Sequence, residues 1–121
     1  MAKILIIDDE QSICELPTRI LKDEHEVKSS LDPEEALSLI ESDKPDCVLL
    51  DIKMPKLDGV EVLSRIKVIA PSIGVIMITG YGNLETAMET MRIGAFDYIT
   101  KPFDLDFIKN LVKRCLESLK K

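Results

Sequence analysis

Apolar residues in this chain follow two rhythms. Solid runs of four stand at Ile4–Ile7, Cys47–Leu50 and Val75–Ile78, and weaker strand-length segments at Glu26–Ser29 and Asp97–Ile99. The solid runs lack any alternation of apolar with polar residues, which is the pattern of strands covered on both faces in a parallel sheet. Five strands are therefore predicted.

Segments with helical period lie between and after them. Asp32-Pro33-Glu34-Glu35 reads as an N-cap, a proline at the first helical position and acid in the first turn, with Ala36, Leu37 and Ile40 on one face. Val60, Leu63, Ile66 and Ala70 form a second stripe, and Ala87, Met88 and Met91 a shorter one that ends before Gly94 and is expected to face the core. The last helix has the strongest pattern, through Ile108, Leu111, Val112, Cys115 and Leu119. A first helix, about Ser12 to Lys22, carries Ile13, Leu16, Ile20 and Leu21 but also Pro17, which predicts a kink or a late start.

Alternation of five strands with five helices implies right-handed βαβ crossovers, hence an α/β fold: a doubly wound, five-stranded parallel sheet with helices on both faces. No linker, repeat or low-complexity stretch interrupts it, so residues 1–121 are expected to form a single domain. Composition narrows the partners. The chain has 22 Asp and Glu against 16 Lys and Arg, a net charge of −6, which disfavours direct contact with nucleic acid or an anionic membrane. Apolar runs of four fall far short of the roughly 20 residues of a membrane span. One lysine followed by four apolar residues before Asp8 is too short for a signal peptide, so a cytoplasmic location is expected. Cys14, Cys47 and Cys115 are odd in number and show no CxxC spacing, which suggests reduced thiols rather than a disulfide framework or zinc site.

In a doubly wound sheet, function gathers beyond the carboxyl ends of the strands. Asp8, Asp9 and Glu10 follow the first strand and Asp51 the third. Thr79 and Gly80 follow the fourth, and Lys101 and Pro102 stand near the end of the fifth. Singly, each has an ordinary explanation as a helix-dipole partner, turn residue or solvated charge. Together they place carboxylates, a hydroxyl and an ammonium on one rim. Clustered carboxylates repel one another unless a hard cation sits among them, and oxygen ligands of this kind suit Mg²⁺. One carboxylate can then act as nucleophile toward a phosphoryl group whose oxygens are neutralised by the cation, the lysine and the hydroxyl. His25, the only histidine, is expected to decorate a connection, and Asp23–Glu26 to be a solvated edge.

Four motifs in order carry a resemblance that covers the whole chain: Ile-Ile-Asp8-Asp9-Glu10, Leu-Leu-Asp51-Ile-Lys-Met54-Pro55 with Asp58-Gly59, Ile-Thr79-Gly80, and Tyr98-Ile-Thr-Lys101-Pro102-Phe103. This set resembles the receiver domains of response regulators in two-component signalling. The stretches Thr79-Gly-Tyr-Gly and Ala95 to Phe103 are similar to receivers of the nitrogen-regulatory, sigma-54 activator class. The resemblance implies a flavodoxin-like sheet of order 2-1-3-4-5. It makes Asp51 the phosphoacceptor, and it makes Asp8, Asp9, Asp51 and the backbone carbonyl of Lys53 the Mg²⁺ ligands. Thr79 and Lys101 would contact phosphoryl oxygens, with a cis bond at Lys101-Pro102, and Tyr98 would be the switch aromatic. The implied donor is a phosphohistidine on a sensor histidine kinase or a histidine phosphotransfer protein, since His25 is not placed as one. The implied output surface is the fourth helix, fifth strand and fifth helix, also a candidate face for pairing with a second copy. Lys53 and Tyr81, two residues after acceptor and threonine, would flank the path of a hydrolytic water and slow loss of the phosphoryl group.

Two features depart from the family pattern: Pro17 in the first helix, and a turn before strand two that lacks a glycine before His25. Three other readings compete. A phosphatase of the haloacid dehalogenase type wants an acid two residues after its nucleophile, where this chain has Lys53. A flavodoxin-like cofactor binder wants free amides after strand one, where Asp8-Asp9-Glu10 would repel a phosphate. An interaction module without phosphorylation is disfavoured because no acidic or switch position is missing. Because the chain's chemistry is directed at its own acceptor, a conventional enzyme is not expected.

Overall fold

A computed structural model describes residues 2–7, 21–22, 24–30, 32–51, 59–79, 84–100 and 104–119. Its strands are β1 (Lys3–Ile7), β2 (Glu26–Ser30), β3 (Cys47–Asp51), β4 (Gly74–Thr79) and β5 (Asp97–Thr100). Its helices are α1 (Pro33–Asp43), α2 (Gly59–Ile69), α3 (Leu84–Ile93) and α4 (Leu105–Ser118). All five expected strands are present, each slightly longer than the apolar run that announced it. They pair parallel in the order β2-β1-β3-β4-β5. Of the expected first helix only Leu21, which is helical and buried, and Lys22 belong to the described residues; Pro17 and Cys14 lie outside them.

The solid apolar runs are explained by two cores, one on each face. Leu5, Ile7, Val48, Leu50, Val75 and Met77 meet Leu37 and Ile40 of α1 and Val62, Leu63 and Ile66 of α2. Their alternate neighbours Ile4, Ile6, Cys47, Leu49, Ile76 and Ile78 meet Ile108, Leu111, Val112 and Cys115 of α4, together with Leu21. Each such side chain, removed from water, contributes about 1.5–3 kcal/mol before the entropy of ordering is counted.

The local start and stop signals do what their chemistry predicts. Asp32 Oδ1 accepts the Glu34 N–H at 3.1 Å, with Pro33 opening α1. The same helix ends on Lys44 in the left-handed region at φ 51°, where glycine is usual, and its N–H donates to Ile40 O. Glycine does serve at the end of α3, where Gly94 sits at φ 129°. Asp104 caps α4 by accepting the Asp106 N–H at 2.8 Å.

The short Met stripe is a correction. Met88 and Met91 of α3 are exposed at 56% and 39%, and among the described side chains of the helix the buried one is Thr90. Three apolar positions on a ten-residue helix do not fix its rotation about its own axis, and docking beside α2 turns the Thr90 side inward. In α2 the stripe is likewise rotated: Val62 is fully buried, while Val60 is only half-buried.

Candidate functional site

Three registers build the carboxyl rim of the sheet. Ile7 of β1 is opposite Leu50 of β3, so the next residues in sequence on these neighbouring strands are Asp8 and Asp51. Asp51, the last residue of β3, is opposite Ile78, and Thr79, the last residue of β4, is opposite Thr100, the last of β5. Lys101 follows Thr100 directly. Neighbouring strands are about 4.8 Å apart, so the described strand ends Ile7, Asp51, Thr79 and Thr100 stand on one side of the sheet.

Parallel pairing is what makes this convergence. Every strand ends on the same side, and the apolar runs that bury the strands stop at that side on Asp8, Asp51 and Thr79. The backbones of Asp51 and Thr79 are described, whereas Asp8, Asp9, Glu10, Lys53, Tyr81, Lys101 and Pro102 lie outside the described residues.

Tyr98 is the expected site residue whose side chain is described. It is half-buried in β5, opposite Met77, and packs against the core shared by α1 and α2. Its own N–H donates to the Asp97 carboxylate at 2.8 Å. Thr79 lies two residues beyond Met77, so Tyr98 is about 7 Å along the sheet from the threonine position. His25 sits just before β2, where its Nδ1 accepts the Ala2 N–H at 3.3 Å, and is remote from this rim, as a connection residue should be.

Mg²⁺ can be assessed from the donors that the rim presents. Asp8 and Asp51 are the successors of register partners, Asp9 adjoins Asp8, and all supply hard carboxylate oxygens, so the set fits a small oxygen-seeking dication. No helix among the described residues is long and apolar enough to cross a membrane.

Comparison with known proteins agrees with this layout. The family model for the response regulator receiver domain matches residues 4–113. The chain is 40% identical over 115 residues to sporulation initiation phosphotransferase F of Bacillus subtilis, spanning 94% of this chain and 93% of that protein. It is 41% identical over 120 residues to the nitrogen assimilation regulatory protein NtrX of Azorhizobium caulinodans, spanning 97% of this chain but 26% of that protein. The chain thus spans about a quarter of its NtrX relative. The crystal structure of the NtrX receiver domain from Brucella abortus superposes with a TM-score of 0.90 at 42% identity, covering 94% of this chain and 98% of that one. The order and parallel sense of the strands, the acids and threonine at their ends, and a family match across nearly the whole length agree. The chain belongs to the response regulator receiver domains, the phosphoryl-accepting switches of two-component signal transduction.

Proposed function

We propose that Asp51 takes a phosphoryl group from a phosphohistidine of a sensor histidine kinase or histidine phosphotransfer protein, in the cytoplasm and with Mg²⁺ required. The observation that carries this reading is the register that ends β1, β3, β4 and β5 on one rim. Asp8, Asp9, Asp51 and the Lys53 carbonyl would hold Mg²⁺, which when bound offsets the charge of the phosphoryl oxygens. Asp51 is the nucleophile: its carboxylate oxygen forms the new bond to phosphorus as the bond to the donor imidazole breaks. Lys101 and Thr79 bind the remaining phosphoryl oxygens, and Thr79, drawn toward the group, vacates space into which Tyr98 turns. The readout surface is α3, β5 and α4. It carries exposed Met88 and Met91 on α3 and Phe107, 44% exposed, on α4, and suits an effector or a second copy of the chain. Since the acceptor is the protein's own residue, the unit, residues 1–121, works as a switch and not as a turnover enzyme.

The test is labelling with acetyl phosphate. One phosphoryl group per chain is expected with Mg²⁺, none with EDTA and none in Asp51→Asn. Undiminished labelling in the mutant or in EDTA would overturn the assignment.

A further inference from the structure

Far from the acidic rim, two thiols that take no part in phosphoryl chemistry meet inside the protein. Cys47 opens β3 and Cys115 lies in α4, each fully buried and unbridged. They are brought together by a glycine. Cys47 is the register partner of Gly74, the first residue of β4, and a Cβ placed on Gly74 would overlap Cys115 Sγ. The Cys115 sulfur therefore fills the space that a side chain at position 74 would take. That space adjoins Cys47 at about one strand spacing, 4.8 Å. Both cysteines belong to the same core on one face of the sheet, so a shift of α4 relative to β3 is the motion that would bring their Cβ atoms to the roughly 3.8 Å of a disulfide.

We propose that Cys47 and Cys115 form a reversible intramolecular disulfide, driven by a hydroperoxide, that fastens α4 to β3. The Cys115 thiolate attacks one peroxide oxygen, the O–O bond breaks, and hydroxide leaves to become water. Cys115 is then a sulfenic acid. Cys47 gives up its thiol proton, its sulfur attacks the Cys115 sulfur, and a second water departs. Two thiols and one hydrogen peroxide become one disulfide and two waters.

The surroundings favour this division of roles. The hydrogen bond from Cys47 to the Cys115 sulfur, helped by the Lys67 ammonium, holds the Cys115 thiol below its ordinary value. The same contact, together with burial, pushes Cys47 well up and keeps its proton in place until the second step. Access comes from the helix end: Cys115 is three residues from Ser118, the last of α4, so local opening of the terminal turn is the route by which peroxide reaches the Cys115 sulfur.

The experiment uses the full chain with Cys14→Ser, which removes the third thiol, exposed to hydrogen peroxide and examined by non-reducing peptide mapping. The expected product is monomeric and lighter by two hydrogens. It contains a peptide joining residues 47 and 115, reverts with dithiothreitol, and raises the melting midpoint on the order of 10 °C. Adding Cys47→Ser or Cys115→Ser should abolish the joined peptide. Oxygen added to either sulfur without cross-linking, disulfide-linked dimers alone, or two thiols that survive peroxide sufficient to oxidise Cys14 in the parent chain would each overturn the proposal. Should Cys14→Ser fail to fold, mapping of the parent chain separates the same outcomes, since a peptide joining Cys14 to either partner differs in mass from the expected one.

Discussion

At the amino ends of the strands the chain is tied across itself; at the carboxyl ends β3 and β4 stop on residues of another kind, Asp51 and Thr79. Asp46 illustrates the first rim. Its carboxylate accepts the Lys3 N–H at 2.9 Å, its own N–H donates to Lys3 O at 2.8 Å, and its carbonyl accepts the Gly74 N–H at 3.2 Å. One residue thereby holds the starts of β1, β3 and β4. Lys67 adds a further tie, donating to Ile73 O at 2.8 Å while its stem lies against Gly94, and burial pulls its ammonium below the usual lysine value. The carboxyl rim differs in kind: β3 ends on Asp51 and β4 on Thr79, the residues proposed to accept and to bind the phosphoryl group. Polar groups on the first rim bond to one another; those on the second are the ones proposed above to hold a phosphoryl group and Mg²⁺. A parallel sheet permits this division because all strand starts share one side and all strand ends the other.

The division can be broken from the amino rim. Gly74→Ala places a methyl group where Cys115 Sγ sits, and Cys115, buried between α4 and the sheet, has little room to withdraw. Overpacking of this kind costs about 2 kcal/mol, and the melting midpoint should fall by about 5–10 °C. Phosphoryl acceptance at Asp51 should persist at temperatures where the variant is folded. Gly74→Ala with Cys115→Ala should recover part of the loss. An unchanged midpoint in the single variant would mean that the contact yields at no cost.

The carboxyl rim offers the converse test. Lys53→Asn with Tyr81→Glu should open the path for a water opposite the phosphorus and supply groups that orient it. Loss of phosphate from purified, kinase-free protein should quicken about tenfold, which corresponds to roughly 1.4 kcal/mol of barrier. The melting midpoint should stay where it is. If the double variant loses phosphate no faster than the parent, occlusion by Lys53 and Tyr81 is the wrong explanation for a long lifetime.

The same contrast explains what could be read from the sequence. Five strands, their order once the motifs were matched, the Asp32-Pro33 helix start and the face of α4 were all legible, because each rests on local chemistry or on a periodicity long enough to be unambiguous. Leu119 marks the limit of that last stripe: it follows the final helical residue and is 40% exposed. Met88 and Met91 misled because the rotation of a short helix is set by its neighbours, not by three apolar letters. The Asp46 clamp and the Cys47–Gly74–Cys115 contact were invisible for a different reason. Both join residues distant in sequence through sheet register, and nothing in Lys-Pro-Asp46 or in an isolated glycine announces a partner. The placing of Asp51 and Thr79 on strand ends was legible because parallel strands deliver their ends to one rim whatever the helices between them do.

The smallest effect expected concerns Asp43, also on the amino side. Its carboxylate lies 3.6 Å from Lys3 Nζ and 3.4 Å from Lys28 Nζ, tying α1 to β1 and β2. Lys3 Nζ also donates to the Asp43 carbonyl at 3.4 Å, serving one of the acceptors left open at the helix end. Against this, Asp43 is an acid in the last turn of α1, a turn with no basic residue, where the helix dipole disfavours negative charge. Both lysines are about half exposed, so solvent screens the attraction. The two ion pairs and the dipole then nearly offset each other, and Asp43→Asn should change stability by less than about 0.5 kcal/mol at moderate salt. Salt dependence resolves the parts: in urea titrations at low ionic strength and again near 1 M salt, the wild type should lose a few tenths of a kcal/mol more than Asp43→Asn if the lysine pairs outweigh the dipole. Equal salt responses would show that the pairs and the dipole are balanced; a larger loss in the variant would mean that Asp43 is a net electrostatic burden and that the amino rim is held by its backbone hydrogen bonds.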